Sequence, residues 1–430
     1  MRLMPLLTAG VLLLAPAVFA APDNVIIAGR LLDVRSGKLL QGQAILLEQE
    51  RIHSIVALSK LSAEQQSLPR TDLSAYTVLP GLIDMHVHLT ANPSAHGYRR
   101  LQQTPARQAL FGVTAAAATL NAGFTTVRNL GAAGFADVAL RDAISAGEIT
   151  GPRMRVSGPA LCMTGGHCDN NLLPHTYQAS GDGVANGADA IRAKVRSNMK
   201  YGADVIKFSA TGGVLSRNTD VNASQYSLAE MQALVAEAHD RGAIVAAHAH
   251  GLRGIKRALE AGVDSIEHAS FVDDEAIKLA KSRGTYLVMD VYVSDYILQE
   301  GEAAGILPES LAKERTVGQL QRQNFSKAVK AGVKMAYGTD AGVYTHGLNG
   351  RQLNYMVQWG MTPLQAIQSA TLHAAELLNW RNEQGQLNVG VLEPGAYADM
   401  VAIAGNPLEQ ITLLQQIPVV IKGGKAVKAP

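Results

Sequence analysis

The run Leu79-Pro80-Gly81-Leu82-Ile83-Asp84-Met85-His86-Val87-His88-Leu89 carries the first recognisable chemistry in the chain. Alternate residues of a β-strand face the same side, so His86 and His88 aim two imidazoles at one point in space. Imidazoles so placed can grip a metal ion from the end of a strand. Further polar residues close later apolar runs. Lys207 ends Ala203-Asp204-Val205-Ile206, His248 ends Ala243–Ala247 with His250 two residues on, His268 ends Gly262–Glu267, and Asp340 ends Lys334–Thr339. A lysine or aspartate buried at such a place costs free energy unless it is paired or metal-bound, so these tips need a common explanation.

The elements that must position them repeat along the chain. A helical segment ends in glycine and a short apolar strand follows, at Gly123, Gly242, Gly262, Gly284 and Gly332. Glycine just past a helix supplies the left-handed residue that turns the chain. With Arg153–Ser157 added there are eight strands, each followed by a helical pattern. The expected fold is α/β, a (β/α)8 TIM barrel, in which catalytic residues project from the C-terminal ends of the strands. His86 and His88 then end strand one, Lys207 strand four, His248 strand five, His268 strand six and Asp340 strand eight. The flanks read differently, as short apolar runs broken by turns, for example Val25-Ile26-Ile27, Ala44–Leu47 and Val419–Lys422. They are expected to build one small β-sandwich from residues 21–78 and 391–430, around a barrel of residues 79–390. Gly423-Gly424 marks a hairpin within it.

A net charge of +2 and the lack of a basic stripe with interleaved aromatics give no basis for nucleic-acid binding. Arg2, the apolar stretch Leu6–Leu14 and Val18-Phe19-Ala20 read as a secretory signal peptide over residues 1–20, cut after about Ala20, which implies a secreted or periplasmic protein. No later run of apolar residues is long enough for a membrane anchor. Cys162 and Cys168 share one loop, where an exported protein could close a small disulfide. They could also serve as zinc ligands, although two cysteines alone make an incomplete site.

The opening Pro80-Gly81-Leu82-Ile83-Asp84-Met85-His86-Val87-His88 and the closing Leu392-Glu393-Pro394-Gly395-Ala396-Tyr397-Ala398-Asp399 resemble the metal-dependent amidohydrolase superfamily. Thr164-Gly165-Gly166-His167, Lys207-Phe208, Ala247-His248-Ala249-His250-Gly251 and Ile266-Glu267-His268 are more narrowly similar to its exported dipeptidase branch of prolidase-like carboxypeptidases and ochratoxin amidases. The resemblance implies two divalent metal ions, zinc first among them, bridged by a carbamate that CO2 forms on Lys207. It implies that His86, His88 and Asp340 hold the more buried metal and His248 and His268 the more exposed one. A metal-activated hydroxide would then cleave an amide bond of a dipeptide or N-acyl amino acid, with Asp340 as general base and then acid. His250, which competes with His248 for the metal, would face the substrate or stand behind the ligands; it and His167 are candidates for catalysis and substrate binding, and Tyr226 and Arg217 for the substrate carboxylate. A homo-oligomer is also implied. The rival readings are an esterase, lactonase or phosphotriesterase on the same centre, a deaminase or cyclic-amide hydrolase, for which Lys207 is not needed, and a non-catalytic binding protein.

Overall fold

The computed structural model describes residues 21–429, so the expected signal peptide lies outside the described residues. Four strands come first: β1 (Asn24–Asp33), β2 (Lys38–Glu48), β3 (Arg51–Ala57) and β4 (Arg70–Pro80). Their period-two pattern divides the side chains between two cores. Ile26, Ala28, Ile45 and Leu47 enter one cluster, and their neighbours Val25, Ile27, Ala44 and Leu46 enter another. Both faces are covered, which is why these strands read as nearly continuous apolar runs. β1 and β4 run parallel with a register shift at Gly29, where an added Cβ would stand 1.9 Å from the Ser74 carbonyl oxygen. Only glycine lets the two backbones approach so closely.

Seven short parallel strands follow: β5 (Leu82–Val87), β6 (Phe124–Asn129), β7 (Arg153–Val156), β8 (Ile206–Ser209), β9 (Val245–Ala249), β10 (Ser265–His268) and β11 (Tyr286–Val288). They pair in chain order as β5-β6-β7 and β8-β9-β10-β11. A bridge from Leu161 to Phe208 joins the two runs. The eighth barrel strand is a broken one. Met335 bridges Leu287, Ala341 bridges Val87, and Met85 N donates to Tyr337 O at 2.8 Å, which closes the circle without a continuous ladder. Helices such as Leu252–Ala261, Asp274–Arg283 and Pro308–Ala331 wrap the outside, and each of these three ends on a left-handed glycine, at Gly262, Gly284 and Gly332.

β12 (Met400–Ile403), β13 (Val419–Lys422) and β14 (Lys425–Lys428) complete the sheet begun at the N-terminal side, in the order β14-β13-β12-β4-β1-β2-β3. Gly423 and Gly424, both at positive φ, turn β13 into β14. The two chain ends therefore share one sheet against the barrel. Among the described residues no helix is long and apolar enough to cross a membrane.

Candidate active site

The strand tips converge at the C-terminal end of the barrel, in a cavity of about 570 Å³ lined by His86, His88, His167, Lys207, His248, His250, His268 and Asp340 among others. That size suits a small-molecule ligand. A second cavity of about 310 Å³ at the opposite end, between Asp264, Arg283 and Glu376, carries none of these groups.

His86 Nε2 and His88 Nε2 lie 3.6 Å and 3.2 Å from Asp340 Oδ1, and Lys207 Nζ lies 3.4 Å from His86 Nε2. Atoms bound to one zinc at about 2.0–2.2 Å with tetrahedral angles stand roughly 3.4 Å apart, so this spacing fits a shared cation. A second group, His248, His250 and His268, brings one nitrogen from each ring within 4.8 Å of the others. Burial holds the imidazoles of His86, His167, His248 and His250 well below the ordinary histidine range, aided by neighbouring cationic groups. Neutral rings keep the lone pair that a metal needs. His268 departs from them: burial works to lower it, but Asp290, by charge and by a 2.9 Å contact with Nδ1, and Asp340 together leave it raised.

Lys207 is buried, and among the described residues no carboxylate lies within 4.0 Å of its amine. Burial, opposed by the more distant Glu267 and Asp340, pushes it down to about 8. This is no lysine–acid pair. It is a buried amine, shifted toward neutrality, held against His86.

Two ligand candidates depend on backbone conformations that the sequence does not announce. Ser265 and Glu267 both meet Arg128 inside the barrel, so strict alternation would turn His268 outward. A left-handed backbone at His268, φ 68°, swings the ring back, to 4.7 Å from His248 and 5.0 Å from His86. Asp340 is also left-handed, at φ 58°. Such conformations cost of order 1–3 kcal/mol each and persist where the surroundings enforce them. At Asp340 the enforcement comes from Asp84, buried beneath, which accepts from Thr339 Oγ1 at 2.5 Å, Thr339 N at 3.1 Å and Asn349 Nδ2 at 2.8 Å. Burial lifts the Asp84 carboxyl to about 7 against these hydrogen bonds.

A layer that sequence reasoning missed orients the ligands. Glu267 Oε2 faces His86 Nδ1 at 3.0 Å, leaving Nε2 toward the cavity, and Asp290 does the same for His268. Arg128, fully buried, donates to Glu267 Oε1 at 2.8 Å, Ser265 Oγ at 3.0 Å and Met85 O at 2.6 Å. Removing one partner of a buried pair strands the other charge, at about 3–5 kcal/mol. Arg128→Met is therefore expected to lower the free energy of unfolding by about that amount, read by chemical denaturation of the metal-free protein. A loss below about 1 kcal/mol would show that Glu267 is held by other means. Asp84 and Glu267 each sit in apolar runs already singled out, and their place beside a histidine-bearing strand end was the available signal; Asp290 follows a strand without histidine and had none.

The disulfide reading of Cys162 and Cys168 is the one the structure adopts, with their Cα atoms 5.8 Å apart, and it pins the loop that carries His167. The His167 ring stacks on His248 at 4.1 Å, its Nδ1 lies 2.8 Å from Ser216 Oγ, and its edge presses on Gly213, where a Cβ would come within 2.2 Å. His250 stacks on His268 at 4.8 Å with Nδ1 2.7 Å from Ser270 Oγ, so it stands as close to the cluster as His248 does. Arg217 lies at the cavity rim and donates to Tyr98 Oη at 2.5 Å. Arg100 lines the same cavity, without an acidic partner among the described residues, and was not foreseen. Tyr226 needs correcting: it is buried against Phe208, donates to the Ala185 carbonyl oxygen at 3.0 Å, and lies away from the cavity lining. A phenol so engaged cannot reach a substrate carboxylate.

Known proteins share this arrangement of chain and fold. The description "Amidohydrolase family" matches residues 77–427. An ochratoxinase from Aspergillus niger is 32% identical over 440 aligned residues, covering 96% of this chain and 89% of the relative. A solved Xaa-Pro dipeptidase with bound methionine superposes with a TM-score of 0.86 at 37% identity, over 94% of this chain and all of the other. A prolidase complexed with N-methylphosphonate-L-proline gives 0.85 at 33% identity, over 95% of this chain and all of the other. With the closed barrel, the flanking sheet and the converging strand tips, these likenesses show that the chain belongs to the amidohydrolase family and is a hydrolytic enzyme acting on amide bonds.

Proposed function

We propose that this enzyme is a two-metal hydrolase that cleaves the amide bond of dipeptides or N-acyl amino acids and releases a free amino acid. The observation that carries the reading is Lys207, a buried amine without a carboxylate partner among the described residues, set beside two clusters of imidazoles and carboxylate. Attack of its neutral nitrogen on CO2 would form one N–C bond, release one proton and leave a carbamate whose single negative charge is shared by two oxygens, a donor suited to divalent cations. His86, His88 and Asp340 would hold one cation, and His248 and His268 the other; zinc suits this mixture of nitrogen and oxygen ligands. When bound, the cations supply Lewis acidity for the scissile carbonyl and acidify the attacking water.

The residues of the chain do the rest. Asp340 accepts the proton of the attacking water and delivers it to the leaving nitrogen. His250 and His167 hold the substrate from the cavity wall, and Arg217 at the rim takes its carboxylate. Asp290 and Glu267 keep His268 and His86 in the orientation the ligand set needs. The names of the relatives, ochratoxinase and Xaa-Pro dipeptidase, support an amino acid as the leaving group. The Cys162–Cys168 disulfide supports an exported enzyme, since such bonds persist in oxidising compartments.

The test is release of free amino acid from a panel of dipeptides, N-acyl amino acids and ochratoxin A by the zinc-loaded protein, with esters and lactones run beside them. Turnover of at least one amide with an amino-acid leaving group is the expected result. Turnover of esters or lactones with silence on every amide would overturn it.

A further inference from the structure

The cavity has a side, or lobe, lined by residues other than the metal ligands. The helix Pro308–Ala331 presents Ser310, Glu314, Val317 and Gln321 to it, at steps of four, three and four residues, which is one helical face. Gln321, at the inner end, donates to Asp290 Oδ1 at 2.6 Å and to the His268 carbonyl oxygen at 3.2 Å, so this end of the face adjoins the catalytic cluster. Glu314 stands two turns away, is only 3% exposed, and still lines the cavity. Ser294 Oγ donates to Glu314 Oε1, and among the described residues no lysine, arginine or histidine nitrogen lies within 4.0 Å of the carboxylate. Arg322, on the same helix, is committed to Asp295 at 2.6 Å. Ile297, Ile306, Leu307 and Val317 supply apolar lining to the same cavity, which the Arg100 guanidinium also lines.

We infer that this lobe receives the side chain of a basic leaving amino acid, with its stem along Ile297, Ile306, Leu307 and Val317 and its terminal cation against Glu314. The inference rests on the amide-hydrolase reading for the word leaving, and on the lobe alone for the word basic. A buried carboxylate without a counterion is costly, and burial duly pushes the Glu314 carboxyl up to about 7. An incoming ammonium or guanidinium supplies the missing counterion. A neutral side chain of the same length leaves the acid unpaired, and a site left with an unpaired buried group discriminates strongly against such a ligand. The dimensions agree. Seven residues of helix separate Glu314 from Gln321, about 10 Å along the axis. A lysine spans roughly 6 Å from Cα to Nζ, and the scissile carbon lies two bonds further back.

Calorimetric binding of free L-lysine, L-arginine and L-norleucine to the zinc-loaded wild type and E314Q, at about pH 8, tests this directly. Norleucine has the lysine stem without its amine, and all three bring the same α-amino and carboxylate groups, so only the far end of the lobe is compared. Lysine and arginine are expected to bind about tenfold or more tighter than norleucine, and E314Q is expected to bring all three within about twofold of one another. Equal binding of lysine and norleucine by the wild type overturns the inference, as does an undiminished lysine preference in E314Q. The wild-type comparison decides alone if the variant fails to fold. Because no turnover is read, an enzyme that binds lysine selectively but hydrolyses no amide contradicts the proposed function and upholds the lobe.

Discussion

Lys207→Met, purified and supplied with zinc, is expected to keep one cation or none per chain and to lose roughly 10³-fold or more of amide turnover, about 4 kcal/mol of transition-state stabilisation. Methionine has nearly the same length and no charge. At this position it replaces a buried amine that no carboxylate meets among the described residues. Burying the amine disfavours its charged form, whereas burying a thioether does not. The metal-free variant should therefore unfold at the same denaturant concentration as the wild type, or a higher one. That pairing separates a loss of chemistry from a loss of fold. Full metal content and activity in Lys207→Met would remove the carbamate from the site.

The second large effect is expected from Asp340→Asn. The variant should retain metal in part and lose about 10²–10⁴-fold in kcat, the usual span of a lost general acid–base group. Asparagine keeps the shape and one carbonyl oxygen, and tolerates the left-handed backbone that Asp340 adopts at φ 58°. What it lacks is a carboxylate to accept a proton. Thr339 and Asn349 remain tied to Asp84 whichever residue follows, so the turn should stay in place. Metal and kinetic assays on one preparation check this, and a kcat within about threefold of wild type would assign the proton transfer elsewhere.

The regular part of the molecule was the legible part. His86 and His88 share a face because a strand alternates, and Lys207 marks the fourth strand because it closes an apolar run. The helix-ending glycines announce the repeat because few other residues adopt positive φ without strain. The less legible features arise where local rules give way to tertiary ones. Nothing in Ile266-Glu267-His268 says that its histidine turns inward on a left-handed backbone. The last barrel strand is held by isolated bridges, which composition does not betray. Tyr226 was misread because a tyrosine before a helix looks alike whether its hydroxyl meets a ligand or, as here, the Ala185 carbonyl. Glu314 lies mid-helix, where an acid ordinarily signals a solvated face, and only the folded molecule brings it against a cavity.

Everything proposed for the catalytic end of the cavity turns on Lys207 carrying a carbamate. Carbon-13 NMR of the zinc-loaded protein prepared in labelled bicarbonate, with metal counted on the same sample, reads this directly. A protein-bound carbamate resonance that accompanies two zinc ions per chain and disappears in Lys207→Met is the expected result. Two zinc ions and full amide turnover without that resonance would contradict it, and would leave Lys207 as a buried amine with another purpose.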